Sequence, residues 1–128
     1  MREYVSAIAI AALVAAFAGI GQAQPTERDE LQARVGHIND LAKQPGMMKE
    51  VVHSISVETG VPPERVQAMH KDNPDAGVGG IFVACVMADL TTDKPEHFLK
   101  ARLSGKGWAA IARDNRVPVD KLNARLDR

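Results

Sequence analysis

Apolar residues recur along most of this chain three or four positions apart, the spacing of a helix with one buried face. Leu31, Val35, Ile38 and Leu41 or Ala42 set the first such stripe. It follows Thr26-Glu27-Arg28-Asp29-Glu30, where Thr26 is a capping residue and the acids suit the positive end of a helix dipole. Gln44-Pro45-Gly46 ends the run. The pattern leaves open whether this helix packs on the rest of the chain or stands off as an arm. Met47 to Thr59 predicts a second helix with Met48, Val51, Val52, Ile55 and Val57 inward. Gly60 sits where a left-handed C-cap is wanted, and it alone is expected to need a positive φ. Pro63 opens a third helix to about Lys71, with Val66 and Met69 inward. Asp72 to Gly77 is a loop by composition.

Ile81 to Ala88 is apolar all round, which fits a buried strand or a buried helix. No second strand is present to pair with it, and a lone strand leaves its backbone groups unsatisfied. A central helix is therefore predicted. Pro95 to Leu103 follows with Phe98, Leu99 and Leu103 inward, and Ser104-Gly105-Lys106-Gly107 breaks it. Trp108 to Asp114 is a short helix with Trp108, Ile111 and Ala112 inward. Asn115 to Pro118 turns the chain into a last helix, Val119 to Arg128, with Leu122 and Leu126 one turn apart.

Two of these stretches match at an offset of 56 residues. Val61-Pro62 falls on Val117-Pro118, Ile55 on Ile111, Val66 on Leu122 and Ala68 on Ala124. Each copy carries an apolar anchor, a Val in the turn and a second anchor. Such a pair cannot bury its apolar face alone, so the copies share a core, with Ile81 to Ala88 as the common partner. The expected fold is an all-α bundle of five or six helices, with two helix–turn–helix units around the central apolar helix.

The N-terminus stands apart from this pattern. Arg2 is followed by an apolar run from Val5 to Ile20 and by small residues at Gly21 and Ala23. That order predicts a secretory signal at 1–23, and the run is short for a spanning helix of roughly 20 residues. Residues 24–46 then form an N-terminal amphipathic helix and linker, and 47–128 the helical domain. The expected location is periplasmic or secreted, with membrane contact only through an uncleaved signal segment. Lys plus Arg equal Asp plus Glu at 16 each, so no basic face is available for nucleic acid, and nucleic acid is excluded as a partner. The single Cys, Cys85, forms no internal disulfide, so the core must hold the fold.

Over Ser54 to Leu126 the chain resembles a group of small exported bacterial proteins of unassigned function. The Gly60-Val61-Pro62 turn, the Gly-rich step into an apolar helix and Gly105-Lys106-Gly107-Trp108-x-x-Ile111-Ala112 carry the likeness. It implies a helical fold and export, and brings no catalytic residue with it. Gly105, Ile111, Ala112, Val117 and Leu122 are also similar to the lysin motif of peptidoglycan-binding modules, although Pro95 to Leu103 reads as helix where that family has a strand. Ile111-Ala112, Val117 and Leu122 resemble a DNA-binding helix-turn-helix, in which Lys121, Asn123, Arg125 and Arg128 would face the groove. Export and neutral charge oppose that use.

Candidate chemistry is sparse. His37, His53, His70 and His97 show no His-x-x-x-His pair, Met48, Met69 and Met87 read as core filler, and no metal or cofactor is implied. Glu50 and His53 are three apart on one helix, without a nucleophile motif beside them. Gly77-Val78-Gly79-Gly80 lacks the strand and the Lys-Ser/Thr of a phosphate loop and is read as a tight turn allowing close approach. Cys85, amid the apolar run, reads as a buried thiol. The candidate binding surface is Lys106, Trp108, Arg113 and Arg116. The expectation is a non-enzymatic exported protein that binds an unidentified protein or cell-envelope component. A lysin-motif-like wall-binding module and a periplasmic metal or redox-linked protein are the alternatives.

Overall fold

The computed structural model describes residues 27–127. The predicted signal segment and the Thr26 cap lie outside those residues. Seven α-helices are described, with no strand among the described residues: α1 (Glu27–Ala42), α2 (Met47–Thr59), α3 (Pro63–Asp72), α4 (Gly77–Leu90), α5 (Pro95–Leu103), α6 (Trp108–Asp114) and α7 (Val119–Leu126). A short 3-10 turn, Pro74–Ala76, leads into α4. The fold is all-α: α2 to α7 fall within 47–128, where five or six helices were expected, and α1 is the expected N-terminal helix.

The apolar run is a helix, which satisfies its own backbone, and it fills the centre. Every residue of α4 from Val78 to Met87 is buried. It packs against α1, α2, α3, α5 and α7. Burial on all sides explains why its sequence has no polar face. The first helix does not stand off: Leu31, Val35, Ile38 and Ala42 belong to the same core.

Close approach at the start of α4 depends on glycine. The Gly-rich step is helical rather than a turn, because α4 already begins at Gly77. A Cβ on Gly79 would run into the Val35 backbone oxygen of α1, and one on Gly80 would lie 3.2 Å from Cζ2 of Trp108. The Gly79 N–H donates to Asn39 Oδ1 at 2.6 Å. One of the free N–H groups at this helix start is thus capped by a side chain from a different helix.

Three expected core residues are on the surface. Val57 is 72 % exposed, because two residues past Ile55 on a helix is the opposite side. Leu103 is 63 % exposed, since it ends α5 one turn beyond Leu99, where the core no longer covers it. Met48, in the first turn of α2, is 37 % exposed. The last helix is described to Leu126, and its expected end, Arg128, lies outside the described residues. Gly60 takes its predicted left-handed cap at φ 77, but Arg116 is left-handed too, at φ 58. The expectation that only Gly60 needs a positive φ is therefore corrected.

Candidate functional site

Of the four residues predicted as a binding surface, Lys106, Arg113 and Arg116 are exposed and Trp108 is buried. Trp108 is 2 % exposed. Its ring lies over Gly80, and the Arg102 guanidinium sits 5.9 Å from the ring centroid. Gly80 is what lets so large a ring approach the α4 backbone. Trp108 is a core plug and is not open for ligand stacking. Lys106 is exposed, and its Nζ donates to Asp114 Oδ2 at 2.7 Å across α6. Arg113 and Arg116 are exposed cations at the other end of the same helix and the turn after it. They remain surface residues without the aromatic platform they were expected to share.

An open cleft lies elsewhere, between α1, α2 and the end of α7. It consists of two adjoining cavities of about 300 and 330 Å³ that share His37, Ile38, Leu126 and Asp127. One wall is the α1 stripe through Arg34, His37, Ile38 and Leu41, spaced as neighbours on a helix face. The facing wall is Met47, Glu50, Val51 and Ser54 of α2, at the same spacing. Phe82 of α4 and Leu126 close the floor. The turn through Gly46, at φ 78, folds α2 back against α1 and places the two stripes face to face. The floor is apolar and the rim polar, the composition of a pocket that buries an apolar group and orients it by hydrogen bonds.

The cleft gathers three polar side chains from α1 and α2. His37, Glu50 and Ser54 all line it, yet no hydrogen bond joins any two of them. Glu50 and His53, paired in the sequence reading, form no hydrogen bond or ion pair. Cys85 is buried between α4 and its neighbours, and burial pushes its thiol up to about 12. Burial is the main cause, partly offset by the Arg65 cation, with the Glu96 carboxylate adding the smallest upward push. At neutral pH Cys85 is a protonated, shielded thiol and a poor nucleophile. Among the described residues, no group of three His, Cys, Asp or Glu is placed to hold a metal ion, and no helix is long and apolar enough to cross a membrane.

A third cavity, about 400 Å³, opens at the start of α4 beside Asn39, Lys43, Met48, His70, Asp75 and Gly77. One of its polar groups, Asn39 Oδ1, already accepts from the Gly79 N–H.

Sequence reasoning missed the α1–α2–α7 cleft for an identifiable reason. It treated Leu41 and Ala42 as alternatives for one inward position. The structure uses both: Ala42 in the core and Leu41 towards the cleft. Two adjacent apolar residues at the end of an amphipathic helix were the available signal of a second apolar edge.

Arg125 ties the second helix pair to the first. Its guanidinium donates to the Glu58 carboxylate, to the Glu58 backbone oxygen at 2.9 Å and to Asp89 at 2.8 Å. Those carboxylates hold its pKa above the ordinary arginine value, the Asp89 hydrogen bond foremost. Arg125 had been considered as a base-reading residue, and it is spent inside the protein instead.

No protein-family model, curated protein or solved structure matches this chain.

Proposed function

We propose that this chain is a small exported, non-enzymatic binding protein whose working surface is the α1–α2–α7 cleft. Two helix–turn–helix units, α2–α3 and α6–α7, dock on α4 as its scaffold. The partner is a protein or cell-envelope component that places an apolar group on Leu41, Met47, Phe82 and Leu126. The observation that carries this reading is the cleft itself: an apolar floor left open beneath His37, Glu50 and Ser54. Export is supported by the apolar run Val5 to Ile20 followed by Gly21-Gln22-Ala23.

The test is site-specific photo-crosslinking in living cells, followed by fractionation. A crosslinker replacing Ser54 should trap a discrete adduct in the exported fraction, and one replacing Lys106 should trap none. An adduct from Lys106 alone, or none from Ser54, would sink the cleft as the working surface. The mass of the exported chain checks the address independently: it should begin at Gln24.

A further inference from the structure

The last helix is held differently from the others. Its inward stripe is Val119, Leu122, Asn123 and Leu126, so one of four buried positions is polar. Asn123 is 6 % exposed, and its Oδ1 is buried with no donor. At the matching position of the first pair, Gln67 is exposed, where a polar side chain costs nothing. On α1, the Nε of Arg34 is likewise buried without an acceptor. An unmet buried polar group weakens the packing around it, since exposure would restore its hydrogen bonds to water.

Beside this apolar stripe, α7 is also tied to the fold by charge. Arg125 reaches Glu58 and Asp89, and Arg34 reaches Asp127. Asp89 and Asp127 are about half-exposed, which leaves these pairs open to screening by salt. Leu126 and Asp127 also form part of both cleft cavities. Displacing the end of α7 would therefore uncover Ile38 and extend the apolar floor along α1.

We propose that α7 is a strap that opens ahead of the rest of the fold and regulates the depth of the α1–α2–α7 cleft. The proposal rests on that cleft being the binding surface. Asn123 lowers the cost of opening, and the Arg125 and Asp127 pairs set its dependence on ionic strength. Proteins open locally in units, and elements next to binding surfaces come from the less stable end.

Amide hydrogen exchange on the whole exported chain tests this, at about 0.02 M and about 0.5 M salt. Amides of α7 should exchange at least about ten-fold faster than those of α4, and faster still at high salt. Asn123→Leu should slow α7 by about ten-fold and leave α4 unchanged, because the replacement is close in shape and needs no hydrogen bond. Asp127→Asn, a surface change, should speed α7 alone. Exchange of α7 in step with α4 at both salts would overturn the proposal. So would an Asn123→Leu chain whose α7 exchanges as fast as, or faster than, the unaltered one. No partner enters the measurement, so its failure leaves the cleft reading standing. A failed crosslink at Ser54 would likewise leave the exchange result intact.

Discussion

In the α2–α3 pair, Ile55 anchors the first helix, Thr59 Oγ1 donates to the Ile55 carbonyl at 2.7 Å, and Gly60 turns the chain at φ 77. Fifty-six residues later Ile111 anchors α6, Asn115 Nδ2 donates to the Ile111 carbonyl at 2.8 Å, and Arg116 turns the chain at φ 58. Beyond the turn, the Val66 N–H donates to the Pro62 carbonyl at 3.1 Å and the Leu122 N–H to the Pro118 carbonyl at 3.2 Å. The backbone device is the same, and the side chains that complete it differ. Docking is where the pairs part. The 13-residue α2 lies on α4 and spreads its contact over Val51, Val52 and Ile55. The 7-residue α6 packs on α1, α5 and α7 and reaches α4 through the ring of Trp108 on Gly80. A short helix has few inward positions, so its hold on the centre is concentrated in one large side chain.

The sharpest way to break this comparison is to truncate the matched positions, Trp108 and Val52. Trp108→Ala should cost about 3–5 kcal/mol, the range for an aromatic deleted from a core. Val52→Ala should cost about 1–2 kcal/mol, in line with two methyl groups removed from a site with neighbours to share the load. Urea unfolding followed by circular dichroism measures both. Equal losses would mean that α6 has other holds on α4 and that Trp108 is not its main one.

Much of this was legible in the sequence, and the misses share a cause. Ile55, Val66, Ile111 and Leu122 read as anchors because spacing alone fixes which side of a helix faces in. Ile81 to Ala88 read as a central helix because nothing else in the chain could pair with a strand. The Val61-Pro62 and Val117-Pro118 turns were visible because proline and the matched anchors mark them. Spacing does not say how far the core extends, so Leu103 was placed inside when it lies past the core's edge. It does not reveal an approach of two backbones, so the role of Gly79 beneath Val35 was only partly seen. Residue type also misled at Arg116: a left-handed turn is read from glycine, and arginine hides one. The cleft was the hardest to see, because α1 and α2 make it together and neither stripe is unusual by itself.

A second test probes the side of α4 that faces the first pair, where Cys85 feels Arg65 of α3 and Glu96 of α5. Burial pushes the thiol from its ordinary 9.0 up to about 12. Below pH 9 it is protonated folded or unfolded, and its contribution to stability is fully present. Between pH 9 and 12 the unfolded chain ionises first, so stability falls by about 1.4 kcal/mol per pH unit and is lost as pH rises through the folded value. Cys85→Ala should flatten that part of the profile, while every other titrating group cancels between the two proteins. Parallel profiles would show that the first pair does not seal this face of α4.

The smallest expected effects bear on the turn that the pairs share. A Cβ added at Gly60 meets nothing within 4 Å, so the whole cost of Gly60→Ala is conformational, about 1 kcal/mol for a side chain held at positive φ. Arg116 carries that cost already, at φ 58 with an exposed side chain. Arg116→Gly should therefore raise stability by about 0.5 kcal/mol, the relief of the turn less the greater freedom of glycine in the unfolded chain. Opposite signs for the two substitutions, in one series of unfolding curves, would establish that both turns ask the same thing of the backbone. A loss from Arg116→Gly would separate them, because it would show that the arginine side chain holds the second turn by a contact that the first turn does not need.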